Sequence, residues 1–333
     1  NSYSTTINNR LRFPRTTYGH SYGFVSGNGT LYLEEGNLPA GNYTTFTNCS
    51  GNGTIEYGGI GNYSITIVAS LFSSLPNLFF TGTGTRVLPY KDLKICKRLV
   101  IDGPTVDNSV NNRGLTILGS MEIYNTGRFN SGSGASPAST VSFAGTSVQT
   151  LCGPTGNFSG VNKFNNLEIN NPAGLNIGAN GLLEVNNQLL LTNGIISTSS
   201  TSRLILLKTS SETVTPAGGK SNSFINGPLT KQVVNGGTFL YPIGKGAIKG
   251  HDFTLKSGAG STLQWTVEYF TPNPTSTSLT PPLVAANKTE YWSVSTNTAS
   301  KAKITIGWDP MSNLTPLMMQ HGLQDMRVAE YIS

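Results

Sequence analysis

The stretch Leu167-Glu-Ile-Asn-Asn-Pro-Ala-Gly-Leu-Asn-Ile-Gly-Ala-Asn-Gly-Leu-Leu-Glu-Val-Asn-Asn-Gln-Leu-Leu-Leu191 decides the fold class. Its apolar residues fall in alternating pairs, Leu167/Ile169, Leu175/Ile177, Leu183/Val185 and Leu189/Leu191, separated by Asn, Gly or Pro. Alternation puts both members of a pair on the same face of a short strand. Asn and Gly suit the corners because both accept positive φ. Three such strands make a coil of 22 residues, the step from Leu167 to Leu189. That is the pattern of a β-solenoid, in which each coil buries its inward Leu and Ile against the coils on either side. A β-sandwich built from the same strands is the competing architecture, but sandwich strands repeat at longer spacing.

Outward from this stretch the chain repeats itself. Phe80-Thr-Gly82-Thr-Gly-Thr-Arg-Val-Leu88 lines up with Phe143-Ala-Gly145-Thr-Ser-Val-Gln-Thr-Leu151 at an offset of 63. After a five-residue insertion near Gly153 to Ser159 the offset becomes 68. Leu99, Ile101, Leu115, Ile117, Met121 and Ile123 then fall on Leu167, Ile169, Leu183, Val185, Leu189 and Leu191. Asn108, Asn112 and Asn125 fall on Asn176, Asn180 and Asn193. The predicted architecture is therefore all-β, with a tandem-repeat solenoid over residues 77–214. Residues 1–76 share the short alternating strands (Leu31/Leu33, Ile55/Tyr57, Ile65/Ile67) and read as further coils or a small β-domain. After the Gly/Pro-rich Thr215-Pro216-Ala-Gly218-Gly219-Lys220 the strands lengthen and all three tryptophans appear. This predicts an antiparallel β-sandwich over 215–333. It looks cut short, since a strand-like Met326-Arg-Val328-Ala lies close to the last residue.

Composition narrows the function. Only 11% of residues are charged, which excludes a coiled coil, and recurrent apolar strands exclude disorder. The net charge of +6 is scattered, densest at Lys91, Lys94, Lys97 and Arg98. No basic stripe is interleaved with stacking aromatics, so nucleic acid is not an expected partner. No apolar run is long enough to span a bilayer. Cys49, Cys96 and Cys152 have no metal-binding spacing and read as buried thiols, with pairing left open. The opening residues look like the middle of a polar strand and turn, so the chain reads as a segment of a longer polypeptide.

A family resemblance rests on Leu38-Pro-Ala-Gly41, Gly53-Thr-Ile-Glu-Tyr57, Gly82-Thr-Gly-Thr-Arg-Val-Leu-Pro89 and Phe164-Asn-Asn-Leu-Glu-Ile-Asn170, together with Leu191-Thr-Asn-Gly-Ile-Ile-Ser197, Tyr241-Pro-Ile-Gly-Lys245 and Tyr291-Trp292. In these the chain resembles very large secreted repeat proteins of Bacteroidota, in which β-helical stretches alternate with sandwich modules. The resemblance implies export by type IX secretion and an extracellular, cell-surface location. It supplies no catalytic residues.

No enzymatic chemistry is expected. Asp102 and Asp107 come closest to the carboxylate pair that glycoside hydrolysis needs, and both read as turn residues. Glu122 and Glu168 occupy outward strand slots. His20, His251 and His321 stand alone, so no metal site and no cofactor is expected. The Asn-x-Ser/Thr sequons at Asn42, Asn62 and Asn287 are chance products of an Asn-rich chain. The expected role is a structural or adhesive rod or filament element that self-associates through strand edges into an elongated, multi-chain assembly. Surface glycans or another cell are the further candidate partners. The alternative is a carbohydrate-binding or polysaccharide-degrading module, with Tyr124, Tyr269 or Trp292 stacking on sugar rings beside facing carboxylates.

Overall fold

The computed structural model describes residues 3–14, 21–66, 74–152, 156–258, 260–271, 281, 286, 289–309, 312 and 328–329. They form a β-solenoid of about ten turns. The main sheet runs in parallel from Arg10–Phe13 through Thr30–Leu33, Thr54–Tyr57, Leu75–Thr81 and Leu93–Asp102. It continues through Leu115–Ile117, Thr140–Phe143, Phe164–Asn170, Leu182–Asn193, Arg203–Leu206 and Leu229–Val233. Besides the parallel sheet of Ser4–Thr6, Ser21–Ser26 and Ala40–Asn42, two further small parallel sheets line other flanks of the coils. One carries Tyr63–Ser64, Thr85–Val87, Thr105–Asp107 and Arg128–Asn130. The other carries Gln149–Leu151, Leu175–Ile177, Ile196–Ser197, Ile225–Asn226 and Ile243–Lys245.

The alternating pairs become inward columns. Leu31, Ile55, Leu78, Leu99 and Met121 stack in register, each at most 2% exposed. Ile95, Ile117, Phe143, Ile169 and Leu191 form a second column. The anticipated 22-residue step is realised as Leu167 paired with Leu189 and Leu99 paired with Met121. Leu115, Ile117, Leu183 and Val185 all point into the core. The duplication is therefore structural: Leu115–Ile117 and Ser120–Tyr124 of the first copy correspond to the single strand Leu182–Asn193 of the second. Asn112 and Asn180, matched in sequence, both adopt left-handed backbone, at φ 50° and 58°. The gapless match fails between these anchors. Asn108 is buried and donates to Arg113 O and Ser131 O, whereas Asn176 is exposed on a strand whose inward residues are Leu175 and Ile177.

One corner explains a glycine motif. Gly59, Gly82 and Gly103 stack with φ of 77°, 80° and 107°. A Cβ at Gly82 would lie 1.9 Å from Gly59 O. The same corner is sealed by Arg86, which is fully buried and donates to the carbonyls of Gly58, Gly59, Gly61, Thr81 and Thr83 at 2.6–3.1 Å. Its guanidinium also lies over the Tyr63 ring.

The segment Thr215–Lys220 turns through Gly218 and Gly219 without interrupting the coils. Leu204 pairs in parallel with Leu229, and Ile196 with Ile225, across it. Parallel order ends at Leu229–Val233, whose free edge takes Leu263–Phe270 antiparallel, followed by Tyr291–Thr296. A three-stranded antiparallel sheet, Thr238–Tyr241, Phe253–Ser257 and Ala302–Ile306, supplies the opposing layer. Tyr241 donates to Trp265 O at 3.0 Å, and Trp292 stacks on Phe253 and leans on Tyr269. This second layer is smaller than the expected sandwich, and Trp308 is 45% exposed instead of anchoring the core. Of the strand expected at Met326–Ala329, positions 326–327 lie outside the described residues. Val328 is exposed and in no strand. Among the described residues no helix is long and apolar enough to cross a membrane.

Candidate functional site

Each acid weighed for catalysis is engaged in local hydrogen bonds. Asp102 accepts from Asn125 Nδ2 at 2.6 Å, and Asp107 accepts from Ser109 N and Oγ in a tight turn. Glu122 lies in a hydrogen-bonded nest of Arg98, Ser120 and Tyr124. Burial raises the pKa of that carboxyl, but these hydrogen bonds outweigh burial and hold it below the ordinary value. Glu168 accepts from Thr192 Oγ1 and Glu184 from Gly160 N, each at 2.7 Å. These bonds tie one coil to the next.

The aromatics proposed for sugar stacking make no exposed platform. Tyr269 is buried and donates to Glu290. Trp292 is half-buried against Phe253, and half-buried Tyr124 donates to Glu122. The asparagine-rich surface is also less free than its composition suggests. Asn111 donates to Leu88 O, Asn157 accepts from Leu182 N, and Asn162 accepts from Phe129 N, all between coils. Of the sequons, Asn42 accepts from Thr44 and Asn62 from Thr85 N, while Asn287 lies outside the described residues.

The cysteines correct the expectation of buried thiols. Cys49 and Cys96 form a disulfide with Cα atoms 5.4 Å apart, within the normal range for a bridge. It joins the loop before Thr54–Tyr57 to a bulge in Leu93–Asp102, skipping the intervening strand Leu75–Thr81. Cys152 is the buried thiol, and desolvation raises its pKa to about 11.

Of the histidines, His20 and His321 lie outside the described residues. His251 is not isolated. Its Nδ1 lies 2.7 Å from Glu290 Oε2 and its Nε2 3.0 Å from Asp309 Oδ1. An imidazolium, donating from both nitrogens, fits this setting. Burial works against the charge, but Glu290 and Asp309 outweigh it and hold the pKa above the usual histidine value. Ser312 Oγ lies 3.5 Å from His251 Nε2, which gives the group the outline of a Ser-His-acid triad. Asp309 already holds Nε2, Ser312 is 1% exposed, and its Oγ accepts from Asp309 N. The serine is neither activated nor accessible. Separations of 39 and 58 positions hid this cluster from sequence reading.

The cluster stitches the segment around Glu290 and Asp309 to the turn at His251. Among the described residues no group of three or more His, Cys, Asp or Glu side chains is arranged to hold a metal ion, and the two carboxylates of this cluster sit on opposite nitrogens of the ring. Sequence reading also missed Lys231. It is fully buried, donates to Lys208 O and Gln232 O, and desolvation and the Lys208 charge push its pKa down to about 8.

A surface groove of about 790 Å³ is lined by polar side chains together with apolar surface from Ala135, Val214 and Ala217. It lies between the Ser133–Ala135 loop and the turn at Lys208–Glu212, with Asn165, Asn187 and Gln188 between them. Comparison with protein-family models, curated proteins and solved structures gives no match for this chain.

Proposed function

We propose that this chain is a rigid, non-catalytic segment of a large secreted surface protein, of the kind it resembles among the Bacteroidota repeat proteins exported by type IX secretion. The observation that carries this reading is the unbroken set of inward columns from Leu31 to Leu229, which makes the coils one continuous core. Such a rod transmits load along its axis, because each coil packs against the coils on either side of it. The Cys49–Cys96 bridge supports an oxidising, extracellular setting. The antiparallel end serves in this reading as the sandwich-like module that seats the rod against the rest of the protein or a neighbouring copy. Edge strands such as Tyr291–Thr296 offer main-chain groups for that contact.

The test is tethered pulling of the chain between its ends, with and without reductant. The expected trace shows high resistance and stepwise loss of groups of coils, with the stretch around Cys49–Cys96 shielded until reduced. Smooth extension at low force overturns the reading. So does reducing-end release from a glycan panel that is abolished by changing Asp102, Asp107 or Glu122.

A further inference from the structure

The polar groove has its own hydrogen-bond inventory. Gly134 O accepts from the side-chain amides of Asn165, Asn166 and Asn187 at 2.8, 3.1 and 3.2 Å. Asn187 also donates to Asn166 Oδ1, and Gln188 donates to Thr215 Oγ1 at 2.7 Å. These bonds engage both ends of the Asn166 amide but only the nitrogen ends of Asn187 and Gln188. The carbonyl oxygens of Asn187 and Gln188, the Asn186 amide and the hydroxyls of Ser133 and Ser211 make no hydrogen bond among the described residues. Acceptors and donors open to a ligand therefore share one surface.

We propose that this groove binds an extended, neutral glycan chain lying along the axis of the rod. Its walls come from successive coils, as the pairs Thr140–Asn166, Asn166–Gln188 and Leu189–Val214 show. Three inter-coil steps of about 4.8 Å give a run of roughly 14 Å, long enough for several sugar units. Lys208 and Glu212 lie in the same wall with opposite charges, which leaves no net field to select a polyanion. A peptide adding as a strand needs an unpaired edge, and Phe164–Asn170 and Leu182–Asn193 beneath the groove are paired on both sides. Recognition rests on hydrogen bonds and on contact with the apolar surface of Ala135, Val214 and Ala217, since no aromatic ring lines the groove among the described residues.

The inference rests on the surface-module reading above and names the ligand class of its adhesive contact. Saturation-transfer NMR on the full chain would use cellohexaose, mannohexaose, xylohexaose, maltohexaose, polygalacturonate and hexa-asparagine as probes. At least one neutral hexaose is expected to bind at millimolar concentration. Asn186→Ala with Gln188→Ala should weaken it about tenfold, the scale of two lost neutral hydrogen bonds. Ser211→Trp, which fills the groove from an exposed position, should abolish it with thermal melting unchanged. The proposal is overturned if no neutral hexaose binds, if binding survives both variants, or if only polygalacturonate or the peptide binds. Pulling the same variants separates the two readings: unchanged rod mechanics without glycan binding removes the groove proposal alone.

Discussion

In the parallel coils the inward column Leu183, Leu204, Leu229 is apolar at every step, whereas the column beside it runs Val185, Leu206, Lys231. The lysine sits where parallel order gives way to the antiparallel strands. Beyond it the interior also takes in Glu290, Ser312 and the hydroxyls of Tyr241 and Tyr269. The coils are stabilised by many equivalent nearest-neighbour burials, each modest and repeated. The antiparallel end adds to its aromatic core, built on Phe239, Phe253 and Trp265, a few long-range polar contacts whose partners must all be present. Substitutions should therefore act additively in the coils and through pH in the antiparallel end.

The largest effect is expected at Phe164, which is fully buried and packs against Phe129, Phe143 and Phe158. Phe164→Ala should cost about 3–5 kcal/mol in denaturant unfolding, and Leu189→Ala about 2–5 kcal/mol. A loss below about 1 kcal/mol at both would show that the columns are not the load-carrying core. Next comes the bridge, which closes a 47-residue separation. Replacing Cys49 and Cys96 by serine should cost about 2–4 kcal/mol, mainly by freeing the unfolded chain. Protease cleavage near Asn48–Gly53 should accelerate in the same variant. Outward Glu184→Ala, which removes the bond from Gly160 N, should cost about 0.5–1.5 kcal/mol, so a loss as large as that of Leu189→Ala would place the strand register in error.

The same contrast explains what was legible in the sequence. A solenoid writes its period into the chain, so Leu167/Leu189 and Asn112/Asn180 were readable from spacing alone. The match faltered at Asn108/Asn176 because a short strand and its corner can trade a residue without disturbing the columns around them. Arg86 looked like one more position in a repeat, and nothing local shows that five carbonyls converge on it. The His251–Glu290–Asp309 cluster and the Cys49–Cys96 bridge join positions with no common period, so only the folded chain reveals them. The polar groove was hidden for a related reason. Its residues come one or two at a time from successive coils, each an ordinary Asn or Ser in its own stretch.

The histidine cluster gives the antiparallel end a pH dependence above the ordinary histidine range, whereas Glu122 in the coils acts at acid pH and Tyr43, Tyr57 and Cys152 at alkaline pH. His251 has a raised pKa in the folded chain, so it contributes stability that is fully present below the unfolded value of about 6.5. That stability is lost as pH rises through the folded value, because the native state there holds a proton that the unfolded state has released. Between those limits the wild-type melting temperature should fall with rising pH more steeply than that of His251→Gln. Tyr269→Phe, which removes one donor to Glu290, should leave that extra slope in place. Parallel wild-type and His251→Gln curves would remove the cluster from the account of this end.

The smallest effect at neutral pH is expected at Lys231, and its sign with pH is the opposite. Replacing it by methionine removes a buried ammonium, which favours the fold, but takes the ammonium donor from Gln232 O and leaves Lys208 O only the bond from Thr213 Oγ1, which disfavours it by about 1–3 kcal/mol. The two terms oppose, so the net change at pH 7 should stay within about 1 kcal/mol. The distinguishing signal is alkaline. With a folded pKa of about 8 against 10.5 for an ordinary lysine, the unfolded chain binds more protons between those values, and stability rises with pH across that window. Buried Tyr43, Tyr57, Tyr241 and Tyr269, all with raised pKa values, act in the other direction above about pH 10. The comparison is therefore the difference between wild type and Lys231→Met from pH 8 to 10, measured by urea unfolding. The wild type should gain stability relative to the variant as pH increases. A constant difference would mean that Lys231 keeps its ordinary proton affinity, and that the boundary between the two regions is solvated instead of sealed.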